Sequence, residues 1–348
     1  MAAKRSLPAF LFALLVVVIA ACTPAASVAP TATQLAVATA APTAAPTPTA
    51  TPVPAFPVTI TDDEGTAVTI KAEPKKIVSL TPATTETLFA IGAGNRVVGK
   101  VQDIANYPPD AASVPEVATF SGVDVEKIVA LTPDLVISGG AGLTQGDAVT
   151  KLRAAGITVL VAYPTTVAKG IAGIRTIGQA VGLTDAATTL ADSIQQKIDT
   201  LKALAATATT KPRVFYEIDV TGGIFTPPVD SIYGELFTLA NADQIGGNAS
   251  YSISLEELVS KDPQVILLGD AAYGATADAV KKREGWGGMT AVKTGAIFAV
   301  DDIVVTRPGP RIAEGLYALI TTIHPELAAQ ACVAMELPCP TPATSPAS

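Results

Sequence analysis

The sequence contains one histidine, His324, in 348 residues, and this scarcity removes several classes of site. A transition-metal centre generally needs three or four ligands drawn from His, Cys and carboxylates, and a catalytic triad needs a His beside its nucleophile. Neither can be built around one His that precedes a proline at the end of a predicted helix. We therefore predict no catalytic residues, no directly bound metal ion and no enzymatic activity. A hydrolase that uses carboxylates alone is the enzymatic alternative that stays open.

Basic residues are also in short supply. The chain has 23 Lys and Arg against 31 Asp and Glu, which gives a formal net charge of −8. Nucleic-acid binding requires a basic footprint, so nucleic acid is excluded as a partner. The sequence has no glycine-rich loop that ends in Lys and could cradle a phosphate.

The N-terminal segment predicts export. Lys4 and Arg5 precede an apolar run over residues 9–21, which is too short for a secure membrane-spanning helix and is typical of a secretory signal, residues 1–21. Residues 22–56 are rich in Thr, Ala and Pro and almost without charge, so we expect an extended tether rather than a folded segment. The predicted C-terminal tail, residues 332–348, has a similar composition at its end.

The three cysteines divide into two groups. Cys22 follows Ile19-Ala20-Ala21, which is similar to the bacterial lipobox, where the chain is cut before the Cys and lipid is attached to it. This similarity implies a chain anchored by lipid to the outer face of the cell membrane or in the periplasm, with no other covalent cofactor. Cys332 and Cys339 lie near the C-terminus of an exported chain, where a disulfide is permitted and is predicted. Two free thiols are the alternative.

The folded body is predicted as an α/β protein with parallel sheets. Apolar runs rich in Val and Ile alternate with helical patterns, which is typical of strands buried on both faces. We divide it into an N-terminal lobe (57–165), a helical connector (166–211) and a C-terminal lobe (212–331). The connector is expected to contain two helices, 166–181 and 184–206, the second with apolar residues at spacings of three and four. The predicted strands are 76–80, 97–100, 134–138, 158–162, 213–218, 265–269 and 296–301.

An internal repeat links the two lobes. Residues 124–137 match residues 254–267 at a constant offset of 130. Each copy has a helix-capping residue, a Glu two positions later, a proline break and an apolar strand. The repeat predicts two similar lobes with equivalent helices, and chance similarity of two generic helix–strand units is the alternative.

Six segments together resemble one family of transport proteins. The chain is similar over residues 58–328 to the helical-backbone (class III) periplasmic substrate-binding proteins that serve ABC importers for iron–siderophore, haem and vitamin B12. This resemblance implies two Rossmann-like lobes joined by a long interdomain helix, with the ligand between them. It also implies a monomeric carrier that delivers its ligand to an ABC permease dimer with its ATPase. The segments are 77–94, 96–99, 106–109, 125–136, 307–311 and 323–326.

The resemblance also implies roles for individual residues. In the vitamin B12 branch, one surface Glu on each lobe pairs with arginines of the permease, and the matching positions are Glu126 and Glu256. Each is also an ordinary first-turn helix Glu, which is the alternative. Tyr107 and Phe120 match aromatic residues that face the ligand, with a structural turn and core packing as their respective alternatives.

Arg307 and Arg311 flank Pro-Gly-Pro beyond a predicted strand, where open α/β sheets bind ligands. We predict that they bind anionic oxygens of the ligand, with a salt bridge as the alternative. They therefore favour an anionic chelate or haem propionates. An aromatic content of only 5%, with Gly139-Gly140 near the place of a second family aromatic, argues against cobalamin. The expected ligand stays a ferric siderophore or a corrinoid, with a haem carrier or a lipid-anchored sensor or scavenger as alternatives.

Overall fold

The computed structural model describes residues 55–143 and 145–339. The predicted signal, Cys22, most of the tether and the end of the tail lie outside these residues. Within the described ranges, none of the helices combines the length and apolar character needed to cross a bilayer. The described residues belong to one compact unit that contains both lobes.

The N-terminal lobe is built on a six-stranded sheet of order β6-β5-β4-β3-β7-β8. All neighbours in it are parallel except β5 and β6, and strands β1 and β2 form a separate antiparallel hairpin. The strands are β1 (Val58–Thr61), β2 (Ala67–Ile70), β3 (Ile77–Ser79), β4 (Val97–Val101), β5 (Glu116–Thr119), β6 (Gly122–Val123), β7 (Leu135–Ser138) and β8 (Val159–Val161). The helices are α1 (Pro82–Ala90), α2 (Val125–Leu131) and α3 (Gly146–Ala154).

Two helices, α4 (Val167–Val181) and α5 (Thr184–Ala205), follow the first sheet and pack on each other. Helix α4 contacts α1 and β1, and it also contacts helix α6 (Ile232–Leu239) of the C-terminal lobe. It is therefore the helix that joins the lobes. Besides α4, the longer α5 packs on two late helices, α11 (Ile312–Ile323) and α12 (Ala328–Ala334).

The C-terminal lobe is built on a four-stranded, wholly parallel sheet of order β11-β9-β13-β14. Strands β10 and β12 pair separately as an antiparallel ribbon. The strands are β9 (Arg213–Glu217), β10 (Ile224–Phe225), β11 (Asp243–Ile245), β12 (Ser252–Ile253), β13 (Val265–Leu268) and β14 (Ile297–Ala299). The other helices are α7 (Leu255–Lys261), α8 (Ala277–Lys281), α9 (Thr290–Thr294) and α10 (Asp302–Thr306).

The prediction of an α/β fold with parallel sheets is confirmed, because each predicted strand coincides with an observed one. One apolar cluster runs from Ile60 in the first hairpin through α4 and α5 to Met335, so the helices share a core with both lobes.

The predicted C-terminal tail begins too early in the chain. Helix α12 extends to Ala334, and Cys332 within it is completely buried. Cys332 forms a disulfide with Cys339, which confirms the predicted pairing. The folded body therefore continues past residue 331 and is closed by this disulfide.

The internal repeat corresponds to two equivalent helices. Asp124 caps α2 by accepting a hydrogen bond from the Lys127 backbone N at 2.9 Å, and Ser254 caps α7 by accepting one from the Glu257 backbone N at 3.1 Å. Each helix has seven residues, ends in a left-handed residue and leads into a fully buried strand, β7 or β13. The two helices therefore occupy the same position in the two lobes.

Candidate ligand-binding cleft

A cavity of about 630 Å³ lies between the two lobes and is lined by both of them and by α4. Cavities of this size are typical of small-molecule sites. Its lining residues follow the carboxyl ends of strands in both sheets, where open α/β sheets bind ligands. Those on the N-terminal side include Thr81, Ile104, Phe120 and Tyr163, and those on the C-terminal side include Ile218, Gly269 and Asp302.

Helix α4 forms one wall of the cavity. Gly170, Gly173 and Ile174 of this helix line it. A Cβ built at Gly173 would meet no atom within 4 Å, so a side chain there would enter open cavity space. The helix that joins the lobes thus leaves room for a ligand by presenting glycine.

Aromatic side chains are concentrated on the cavity. Phe120 lies just after β5 with 73% of its surface exposed, and Tyr273 on the opposite lobe is 69% exposed. Tyr163, Tyr233 and Tyr251 also line the cavity, so four of the seven tyrosines of the chain do so. Large exposed apolar groups collected at one concave surface mark a binding site. Phe120 lies on the cavity, and its contact with ligand stays a prediction.

Two of the cavity tyrosines, Tyr233 and Tyr251, are uncharged hydrogen-bonding groups at neutral pH. Burial raises the pKa of Tyr233 well above its ordinary value, and the neighbouring Tyr251 and Tyr163 raise it further. Burial also raises the pKa of Tyr251, as do Tyr163 and Asp230. Their hydroxyls can therefore donate and accept hydrogen bonds without adding charge.

Arg307 lines the cavity but is bound to carboxylates of the other lobe. It is 8% exposed, and its Nη1 donates to Glu86 Oε1 at 2.8 Å and to Asp103 Oδ2 at 3.0 Å. Its Nη2 also donates to Asp103 Oδ1. Burial opposes the charge of Asp103, yet the hydrogen bonds from Arg307 and from the Ala105 backbone hold its pKa below the ordinary value. The Arg307 guanidinium thus links the two lobes. Its positive charge is balanced by the carboxylates of Glu86 and Asp103.

Arg311 and Tyr107 do not line the cavity. The Arg311 guanidinium donates from Nε to Glu86 Oε2 at 3.0 Å and from Nη2 to Glu86 Oε1 at 2.7 Å. It also stacks on the Tyr107 ring, 3.8 Å from the ring centroid. The prediction of a ligand clamp formed by both arginines is therefore corrected: the salt-bridge alternative describes them. Tyr107 packs under Arg311, and its predicted ligand contact has no support in this geometry.

A carboxylate that the sequence reasoning did not select stands at the cavity wall. Asp302 lines the cavity at the start of α10, directly after the strand end, and accepts a hydrogen bond from the buried Tyr216 hydroxyl at 2.5 Å. Burial raises the pKa of Asp302, while the Tyr216 hydrogen bond acts to lower it. The sequence feature that could have identified Asp302 is its position immediately beyond a predicted strand.

Glu126 and Glu256 lie away from the cavity on the two equivalent helices. Each is the second residue of its helix, α2 or α7, and each is exposed. Neither forms an ion pair with any other residue that the structure describes, whereas the adjacent Glu257 pairs with Lys261 at 2.9 Å. The two carboxylates are therefore free for a partner.

The described residues contain no group of three or more His, Cys, Asp or Glu side chains arranged to hold a metal ion. His324 is completely buried, and its Nε2 lies 3.1 Å from the Ala240 carbonyl oxygen. It lies in the chain between α11 and α12 and is not among the cavity-lining residues.

Comparison with known proteins identifies the family. A family model described as "Periplasmic binding protein" matches residues 77–304. The chain is 35% identical over 277 residues to the uncharacterized ABC transporter substrate-binding lipoprotein YvrC of Bacillus subtilis (strain 168), an alignment that covers 78% of this chain and 87% of YvrC. It is 31% identical over 282 residues to a cobalamin-binding protein of Halobacterium salinarum (strain ATCC 29341 / DSM 671 / R1), covering 78% of this chain and 75% of that protein.

The fold is also that of solved relatives. The periplasmic heme-binding protein RhuT from Roseiflexus sp. RS-1 is similar with a TM-score of 0.64 and 25% identity, over 71% of this chain and 98% of RhuT. With its two parallel sheets, its interlobe cavity and these relatives, the chain belongs to the periplasmic binding protein family.

Proposed function

We propose that this chain is the lipid-anchored substrate-binding protein of an ABC importer and that it captures a bulky metal complex, specifically a corrinoid. The observation that carries the proposal is the cavity of about 630 Å³ between the carboxyl ends of two sheets, with Phe120 exposed inside it. Such a cavity suits binding of a ligand more than chemistry on it. We propose no enzymatic role.

The charge of the cavity supports a corrinoid over the other expected metal complexes. Arg307 is the one cationic side chain among the cavity-lining residues that the structure describes, and Glu86 and Asp103 balance its charge. The arginines therefore give no reason to expect an anionic ferric siderophore or haem propionates. An aromatic-lined cavity wall that offers no unpaired cation among the described residues suits a corrinoid, and a relative at 31% identity is a cobalamin-binding protein.

Haem is the second candidate, because four tyrosines line the cavity and a phenol oxygen is a known haem-iron ligand. The similarity to the heme-binding protein RhuT, at 25% sequence identity, also supports haem as the ligand. Ferric siderophores rank below both, since the described cavity offers no unpaired cation to bind their acidic oxygens.

Delivery to a permease is supported by the two free carboxylates. Glu126 and Glu256 occupy equivalent exposed positions on the two lobes, which provides a two-point contact for arginines of a permease dimer. We propose a monomeric carrier that docks through this pair. Lipid on Cys22 would keep the exported chain at the membrane, and the 22–56 tether would separate it from the bilayer.

Isothermal titration calorimetry tests the ligand. The full chain, purified in detergent, is titrated with cyanocobalamin, dicyanocobinamide, haemin and ferrichrome. We expect saturable binding of the two corrinoids with dissociation constants of about 1 μM or lower, and weaker binding of the others. Binding of haemin alone would replace the corrinoid with haem. A folded protein that binds none of the four would contradict the carrier role.

A further inference from the structure

Negative groups outnumber positive groups on the cavity surface. Within the described residues, the lining contains three carboxylates and one guanidinium, and that guanidinium is balanced by Glu86 and Asp103. A ligand therefore meets uncompensated negative charge. The charged lining residues are Asp63, Asp230, Asp302 and Arg307.

Asp302 differs from the other two carboxylates in its surroundings. Asp63 and Asp230 are exposed, and Asp63 already accepts a hydrogen bond from the Tyr163 backbone N at 2.7 Å. Exposed charges are strongly screened by water and salt, whereas a partly buried charge acts on its neighbours with less screening. Asp302 is partly buried and is therefore the carboxylate with the greatest effect on a bound ligand.

A buried tyrosine next to the cavity wall holds the Asp302 carboxylate in position. Tyr216 is completely buried in the sheet and donates its hydroxyl hydrogen to Oδ1 at 2.5 Å. A Cβ at Gly269 would lie 2.4 Å from that hydroxyl oxygen, so glycine at this position gives the phenol room. Burial raises the pKa of Asp302, and the hydrogen bond from Tyr216 opposes that shift by stabilising the charged form. The carboxylate is thus oriented before ligand arrives.

We infer that Asp302 is a specificity-determining residue of the cavity, which accepts hydrogen bonds from ligand amide N–H groups and disfavours ligands that place a carboxylate beside it. The inference rests on the proposed function, since the periphery of a cobalamin carries amides. A carboxylate in place of one of these amides loses the donor and adds like-charge repulsion.

Cyanocobalamin and its monocarboxylates provide a matched test, because hydrolysis of one propionamide changes an amide to a carboxylate and leaves the rest of the ligand intact. Binding of cyanocobalamin and of each separated monocarboxylate isomer to the full chain in detergent is measured by calorimetry at neutral pH. We expect at least one isomer to bind about tenfold or more weakly than cyanocobalamin. In Asp302→Asn, that ratio falls to about twofold or less, because the variant lacks the charge.

Asp301→Asn is the matched control. Asp301 is the adjacent, exposed residue, it does not line the cavity, and its carboxylate accepts a hydrogen bond from the Ile303 backbone N at 2.9 Å, which an Asn can also do. This variant keeps the wild-type ratio. If Asp302→Asn fails to fold, Asp302→Ser replaces it, since a hydroxyl is smaller and uncharged.

Three results would overturn the inference. Equal binding of cyanocobalamin and every isomer by the wild type does so without any variant. Unchanged discrimination in a folded Asp302 variant also does so, while the proposed function stands. Absence of corrinoid binding to the folded wild type overturns the proposed function, and this inference with it.

Discussion

Arg307 and Glu86 form a buried ion pair across the two lobes, with 2.8 Å between Nη1 and Oε1, although they are 221 residues apart in the chain. The Arg307 side chain is 9% exposed and that of Glu86 only 1%. Asp103 and Arg311 complete the network, so two negative and two positive groups balance. The lobes are therefore connected by a charge network as well as by α4.

Removing Arg307 should destabilise the protein strongly. Arg307→Ala leaves Asp103 buried without its charge partner and leaves Glu86 with Arg311 alone, and we expect the free energy of unfolding to fall by about 3–5 kcal/mol. The control is Arg175→Ala, which breaks an exposed pair with Asp192, at side-chain exposures of 39% and 65%. That change should cost about 1 kcal/mol or less. Urea unfolding measures both, and equal losses would contradict the structural role of the network.

Asp270 should make stability fall as pH rises. It is 8% exposed, its Oδ1 has no hydrogen-bond partner among the described residues, and it lies beside Glu217, which Arg283 binds. Burial, and then the charge of Glu217, raise the pKa of Asp270 to about 7. Between about pH 4 and 7 the folded state holds a proton that the unfolded state has released, so the contribution is present at low pH and is lost as pH rises.

Asp270→Asn should remove that pH dependence. Urea unfolding from about pH 4 to 8 should show wild-type stability falling relative to the variant, with the variant more stable at the upper end. Asp278→Asn is the control, because Asp278 is 82% exposed and pairs only with Lys281 at the surface. If the wild type and Asp270→Asn changed in parallel with pH, Asp270 would be ruled out as the titrating group.

The sequence predicts the architecture well and the cavity poorly, and particular residues explain why. Strand β13 is a continuous apolar run and β9 has the apolar centre Val214-Phe215-Tyr216, which is typical of parallel strands buried on both faces. Two-residue strands such as β10 and β12 have no period to detect. The boundary at residue 331 was wrong because α12, with its buried Cys332, packs on α5 and α11, and the contact with α5 is distant in sequence.

The arginines show where local patterns fail. Arg307 was correctly placed beside the cavity, because residues that follow a strand end are directed there. Its charge partners, Glu86 and Asp103, are 221 and 204 residues away in sequence. No local spacing encodes such a pairing, so a ligand contact and an interlobe ion pair could not be distinguished before the fold was known.

The disulfide should contribute measurably to stability. Cys332 and Cys339 are seven positions apart in the sequence, and their Cα atoms lie 5.2 Å apart. Closing so short a loop in the unfolded chain corresponds to about 2–3 kcal/mol in the chain-entropy model. We expect Cys332→Ala with Cys339→Ala to lose that amount in urea unfolding. The wild type under dithiothreitol should show a similar loss, whereas no change in either sample would show that α12 is held by packing alone.

The paired glutamates should matter for transport and not for binding. In cells that depend on this carrier, Glu126→Ala with Glu256→Ala should reduce uptake of labelled cyanocobalamin about tenfold or more, because two rim charges set the approach to the permease. The affinity of the purified variant for cyanocobalamin should match the wild type, since neither residue lines the cavity. Glu126→Ala with Glu257→Ala is the control, because Glu257 already pairs with Lys261, and it should retain more uptake. Equal uptake by the two double variants would remove Glu256 from the docking site.

Phe120 should supply binding energy without supporting the fold. Its ring is 73% exposed at the cavity, so Phe120→Ala removes a contact surface for ligand and almost no core packing. An aromatic contact of this kind is worth about 0.5–1.5 kcal/mol beyond its buried area, and the lost burial adds to that, so affinity for cyanocobalamin should fall at least about tenfold. The free energy of unfolding should stay within about 0.5 kcal/mol of the wild type.

Phe298→Ala separates a contact with ligand from a general loss of exposed apolar surface. Phe298 is 42% exposed on the edge strand β14 and is not among the cavity-lining residues. Its removal should leave the dissociation constant of cyanocobalamin unchanged in the same calorimetric titration. If Phe120→Ala bound cyanocobalamin as tightly as Phe298→Ala does, Phe120 would lie outside the ligand contact, and the corrinoid would have to bind against the tyrosine wall of the opposite lobe.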